Sequence, residues 1–145
     1  MTVTLSDEAR RLIALIEEES GATVRDCVVD EEFDRLLVLV KAGEMSEAIG
    51  PGGRTVQRIE GQLDREIKLV EDAPTAEDFV ASALAPAAVY NVTMSEGDGD
   101  DAATVAYAEV ADEDRGIAIG RDGRNIAAAR TLAARHFDVD DVELT

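Results

Sequence analysis

Ala48-Ile49-Gly50-Pro51-Gly52-Gly53-Arg54-Thr55-Val56 recurs seventy residues later as Ala118-Ile119-Gly120-Arg121-Asp122-Gly123-Arg124-Asn125-Ile126. Both copies read Ala-Ile-Gly-x-x-Gly-Arg-x-[Val/Ile], a glycine-bounded turn that leads into a helix. Glycine lets a ligand approach the chain without a Cβ in the way, and a helix N-terminus aims N–H groups at an anion. Arg54, Arg58, Arg121 and Arg124 lie where they can add charge-assisted bonds to phosphate. A single Gly-x-x-Gly is as well explained by a tight helix–helix turn. Two copies in matching frames, each preceded by Ile and followed by Arg, point to two phosphate sites and a ligand whose phosphates repeat.

The charge distribution supports this reading. The 145 residues carry 32 acidic against 14 basic side chains, a net charge of −18, which ordinarily argues against a nucleic-acid partner. Yet segment 49–59 holds Arg54 and Arg58 with no acid, and segment 123–137 holds Arg124, Arg130 and Arg135 with none. With Arg115 and Arg121, seven of the 14 basic residues sit in or beside the two motifs, so the acid-free windows mark the expected binding surface. Only Lys41 and Lys68 are lysines, and this acid-rich, lysine-poor composition resembles that of haloarchaeal proteins. At molar salt the Debye length shrinks to about 3 Å, and only charges in direct contact count.

The elements that position the motifs follow from the apolar pattern. Ser6 is expected to cap a helix whose buried residues include Ala9, Leu12, Ile13 and Ile16 and which Gly21 ends. Strands are expected at 22–30 and 35–42, then a short helix (44–49), the first glycine turn, a helix at 53–62 and a strand at 66–70. The second half repeats this order. Thr75 caps a helix that Pro86 stops; strands at 87–94 and 102–111 flank a polar loop, Ser95 to Asp101; a short helix (112–119) precedes the second glycine turn. A helix over 123–136 and a strand at Val142 and Leu144 complete it. Ser6 lies 44 residues before Gly50, and Thr75 lies 45 before Gly120, as a duplication requires. The expected architecture is α+β: two modules, 1–72 and 73–145, each a three-stranded sheet with helices on one face.

The two Ile-Gly-x-x-Gly-x-x-[Val/Ile] segments resemble the signature of KH domains, and the α-β-β-α-α-β order resembles their type II arrangement. Two such modules across essentially the whole chain resemble the archaeal NusA-like transcription termination/antitermination factors. The resemblance implies binding of single-stranded RNA, a nascent transcript, with each loop clamping the backbone of about four nucleotides. It places backbone contacts at Gly50, Gly52 and Gly53, and at Gly120, Arg121 and Gly123. Ile49, Val56, Ile119 and Ile126 are expected to line the apolar groove or, more safely, the core beneath it; Ile119 is counted among the RNA contacts. Pro51 removes an N–H donor from the first loop, and Asp122 puts a charge in the second that repels phosphate unless it points away; with Arg121, Arg124 and a longer basic helix, the second is expected to be the stronger. RNA polymerase and other transcription factors are candidate partners. The polymerase-binding N-terminal domain and S1 domain of bacterial NusA have no room in 145 residues, so direct polymerase contact does not follow from the resemblance.

Other chemistries find little support. Aromatics form 3% of the chain, too few for binders that work by stacking bases. His136, the only histidine, ends a helix and is expected to be structural; Cys27 reads as a small core residue. Neither a zinc cluster nor a Gly-x-x-x-x-Gly-Lys-[Ser/Thr] loop is present, and Asp98 to Asp101 lacks the spacing of a calcium loop. A non-catalytic protein without cofactor is expected, monomeric and cytoplasmic, with no signal segment and no apolar run of bilayer length. Two alternatives remain: an RNA-binding factor in ribosome assembly or RNA processing, and a KH-fold protein-interaction module that has lost RNA binding.

Overall fold

A computed structural model describes residues 3–97 and 102–145; the acidic run 98–101 lies outside the described residues. Thr4–Asp72 forms one compact unit, and Ala73–Thr145 forms the body of a second. The first contains α1 (Asp7–Ser20), β1 (Val24–Asp30), β2 (Arg35–Val40), α2 (Met45–Ile49), α3 (Arg54–Leu63) and β3 (Glu66–Glu71). Ser6 Oγ accepts the Ala9 N–H at 3.0 Å and opens α1, while Gly21, at φ 76°, closes it in the left-handed conformation.

The sheet order is β1-β2-β3, with β1 antiparallel and β3 parallel to the central strand. A four-residue turn is enough for the first pairing. The parallel pairing needs a crossover, and α2, the glycine turn and α3 supply it. The turn therefore lies on the connection between two adjacent strands, anchored at both ends. Ile13, Ile16, Cys27, Leu36, Val38, Val40 and Ile59 form the core between helices and sheet.

The second unit repeats the order with α4 (Ala76–Ala83), β4 (Val89–Glu96), β5 (Thr104–Val110), α5 (Arg115–Ile119), α6 (Arg124–Phe137) and β6 (Asp141–Leu144). Thr75 Oγ1 accepts the Asp78 N–H at 3.2 Å. Again the middle strand, β5, is antiparallel to one neighbour and parallel to the other. Phe79, Val80 and Leu84 are buried against Ala128, Ala129, Leu132 and Ala133 of the longer α6, whose alanines admit a close approach. Each large side chain so buried contributes on the order of 2 kcal/mol. The Phe79 ring lies 4.9 Å from that of Phe137 and 6.4 Å from His136, which sits in the last turn of α6.

The α+β class, the helical layer and the α-β-β-α-α-β order agree with the sequence reading. Differences are confined to ends. β1 begins at Val24, β2 stops at Val40, and β4 runs through Glu96, two residues into the expected loop. The expected helix at 112–119 is a 3-10 turn, Asp112–Asp114, followed by α5. Among the described residues no helix is long and apolar enough to cross a membrane.

Candidate nucleic-acid interface

The two glycine turns have one backbone. Gly50 and Gly120 lie at φ/ψ 77°/170° and 79°/169°, Gly52 and Asp122 at 61°/21° and 57°/21°, Gly53 and Gly123 at 79°/9° and 79°/10°. In each, a 3-10 turn (Pro51–Gly53, Arg121–Gly123) joins the short helix to the long one. Pro51 fits because it occupies the first position of that turn, where its fixed φ is compatible. Asp122 fits because Asp is among the few side chains that tolerate the left-handed region.

The glycines divide into two kinds. A Cβ on Gly50 would fall 2.8 Å from the Thr55 backbone nitrogen and collide with Thr55 Oγ1; one on Gly120 would fall 2.7 Å from both the backbone nitrogen and Cβ of Asn125. These two glycines let the loop close on its own helix. A Cβ on Gly52 or Gly123 would meet nothing within 4 Å, and one on Gly53 only the Gln57 amide at 3.7 Å. The bare face of the first loop is thus Gly52–Gly53, and that of the second is Gly123 alone, next to the Asp122 side chain.

Several N–H groups expected to meet the ligand are engaged inside the loop. Gly50 and Gly120 donate to the carbonyls of Ser46 and Gly116 at 2.9 Å, and Gly53 and Gly123 to those of Gly50 and Gly120 at 3.1 Å. Arg54 and Arg124 donate to the carbonyls of Pro51 and Arg121. Within the two loops, the backbone N–H groups that meet no acceptor among the described residues are that of Gly52 in the first and those of Arg121 and Asp122 in the second. Pro51 therefore leaves one donor where its twin has two.

The basic residues divide in the same way. Arg54 and Arg121 are exposed. Arg124 is half-buried, with Nε donating to the Arg121 carbonyl at 3.3 Å, so that it braces the loop it flanks. Arg58 donates to the Glu19 carboxylate at 3.3 Å and the Glu19 carbonyl at 2.8 Å, tying α3 to the end of α1. Arg130 bonds Asp141 and the Val142 carbonyl, and Arg115 the Thr145 carbonyl. The acid-free windows thus serve two purposes, and only Arg54, Arg121 and Arg124 remain at the loops.

Of the four motif aliphatics, Ile126 enters the core and Val56 is half-buried. Ile49 and Ile119, expected more safely in the core, are 38% and 40% exposed, and Ile117 is 48% exposed. Each turn therefore has an uncovered apolar residue on its short-helix side.

Asn125 was not singled out by its sequence position as a positioning residue. It is buried, and its amide nitrogen donates to the carbonyls of Leu84 and Ala118 at 3.1 Å each, tying the start of α6 to the ends of α4 and α5. The one available signal is that the variable place between Arg and Val/Ile holds a small polar residue, Thr55 or Asn125, in both copies.

Comparison with known proteins agrees with this geometry. Residues 10–93 match the KH domain family, and residues 76–145 match the NusA-like second KH domain. A relative from Halobacterium salinarum, named probable transcription termination protein NusA, is 61% identical over the full length of both chains. One of the same name from Halococcus morrhuae is 59% identical over 99% of both. The crystal structure of APE1850 superposes with a TM-score of 0.86 at 30% identity, covering 97% of this chain and 100% of that one. The acidic, lysine-poor composition is in keeping with such halophilic relatives, and the chain belongs to the archaeal NusA-like family of tandem KH-domain proteins.

Proposed function

We propose that the chain binds single-stranded RNA through both glycine turns and acts, without catalysis, on nascent transcripts in transcription termination or antitermination. The observation that carries this reading is the pair of turns with one backbone, each offering a bare glycine face, an exposed arginine and an uncovered isoleucine. The phosphate backbone would pass over Gly52–Gly53 in the first loop and over Gly123, beside the Asp122 side chain, in the second. The N–H groups of Gly52, Arg121 and Asp122 would donate to phosphate oxygens, and the Arg54 and Arg121 guanidinium groups would add charge-assisted bonds. Ile49 and Ile119 would meet the faces of bases that a single strand leaves unstacked. The role in termination rests on the names borne by the relatives.

The test is binding of a short fluorescent oligoribonucleotide, followed by anisotropy in concentrated KCl. Gly123→Asp places a carboxylate on the bare face in a conformation Asp tolerates, and it is expected to weaken binding at least tenfold. Gly53→Asp should cause a smaller loss, because its loop has one fewer donor. Unchanged affinity in both variants would remove the RNA site and leave a protein-interaction module in its place.

A further inference from the structure

Four strands form the sheet edges, β1 and β3 in the first unit and β4 and β6 in the second. An open edge invites pairing with another chain, and proteins usually blunt it with charge or brevity. Three of these edges are blunted. β1 carries Arg25, Asp26 and Asp30; β3 carries Glu66, Lys68 and Glu71; β6 has four residues, two of them Asp141 and Glu143. β4 is eight residues long and has no charge from Val89 to Ser95, in a chain where 32% of residues are charged. Its duplicate is the charged β1, so the same place in the fold was free to carry charge.

The edge also has a built flank. Between β4 and α4 runs a groove of about 320 Å³, with Val89, Val92 and Ala81 along its apolar part and Glu77 and Asp78 beside them. Tyr90 stands at its rim, 67% exposed, beside the irregularity in β4 pairing between Val89 and Asn91. A large exposed tyrosine beside a groove that is half apolar and edged by carboxylates is the composition of a mixed protein interface rather than of a solvated strand.

We propose that the outer edge of β4 accepts an extended segment of a partner protein bearing basic side chains, which pairs with β4 as a fourth strand. Backbone bonds to the edge would hold the segment. An apolar side chain would enter the groove between Val89 and Val92, and a Lys or Arg would reach Glu77 and Asp78. Charge favours this occupant over a second copy of the chain: symmetric antiparallel pairing would bring Glu96 of each copy toward Glu77 and Asp78 of the other.

The test uses the full chain in concentrated KCl and an eight-residue peptide alternating valine with arginine. An isomeric control has its residues in blocks, and a second control has glutamate in place of arginine. Amide resonances of Val89 to Glu96 are expected to shift and their hydrogen exchange to slow with the alternating peptide. Glu77→Lys and Tyr90→Lys, each checked for a native amide spectrum, should weaken that binding at least tenfold. Equal binding of either control, shifts centred on the glycine turns, or affinity unchanged in both variants would overturn the proposal. So would concentration-dependent dimerisation that Tyr90→Lys abolishes, since it would identify the occupant as a second copy.

Discussion

Replacing Gly120 by alanine separates the two kinds of glycine in the turn. Gly120 sits at φ 79°, ψ 169°, a region that is essentially closed to side chains, and forcing alanine there costs about 1–3 kcal/mol. The new Cβ would also stand 2.7 Å from the Asn125 nitrogen and Cβ. Relieving such a contact in packed structure costs a further 1–3 kcal/mol or so. The expected loss is therefore about 4 kcal/mol, a large part of the stability of a small domain. Gly123→Ala shares the positive φ but meets no neighbour within 4 Å, so strain alone, about 1 kcal/mol, is expected. Both tyrosines, Tyr90 and Tyr107, belong to the second unit, and the chain has no tryptophan. Guanidinium unfolding followed by tyrosine fluorescence thus reports on the unit that carries the mutation. Equal losses in the two variants, or a Gly120→Ala midpoint within error of the unmodified chain, would refute the division of roles.

Asn125→Ala removes the amide donor from the buried Ala118 carbonyl and one of two donors from the Leu84 carbonyl, which keeps the Ala87 N–H, and should lower the stability of the second unit by about 1–2 kcal/mol, read by the same fluorescence transition. Arg58→Ala should reduce the stability of the first unit by less than about 1 kcal/mol, as an exposed ion pair would, followed by circular dichroism. It should also weaken RNA binding less than Arg54→Ala does, and the reverse order of affinities would return Arg58 to the interface. Burial, aided by Asp26, pushes the Cys27 thiol up to about 12 from 9.0. The unfolded thiol ionises first as pH rises, so its effect on stability is nil below 9 and is a loss of about 1.4 kcal/mol per pH unit above it. Reaction with a thiol reagent at pH 8 should therefore track unfolding; rapid labelling of the native chain would show the thiol is not held this way.

The element order and the duplication were legible because they rest on local patterns. Ser6 and Thr75 announce helix starts, Gly21 announces an end, and the apolar period changes from helical to alternating on schedule. The ends of β2 and β4 were less legible because Lys41, Ala42 and Ser95 to Gly97 have no strong strand preference, and pairing with a neighbour decides where a strand stops. At the turns, the sequence marked every glycine alike. Their division into loop-closing Gly50 and Gly120 and open Gly52, Gly53 and Gly123 depends on where Thr55 and Asn125 fall after the chain reverses, which no spacing rule gives. The same holds for arginine: Arg54 and Arg58 lie one helical turn apart, yet Glu19, 39 residues from Arg58, engages one of them.

The acidity of the chain also changes meaning once its carboxylates are placed. Glu17 accepts the Val24 N–H, Glu44 that of Thr23, Glu60 that of Ile67 and Glu71 that of Gly43. In the second unit Asp114 accepts from Ala88 and Asp140 from Thr104. These groups close the ends of strands and loops at 2.6–2.9 Å, where a charged acceptor strengthens the bond. Part of the negative charge is therefore structural, and it is satisfied by backbone donors at the ends of elements. At the glycine turns the balance is inverted: the first has no acid, and the second has only Asp122, at a position whose φ of 57° itself selects for Gly, Asn or Asp. A net charge of −18 and the anion-binding role proposed for the turns do not conflict in such a chain. In concentrated salt a phosphate ligand would respond only to the few groups it touches, and at the proposed sites those groups would be arginines and amide N–H, with Asp122 beside them in the second turn.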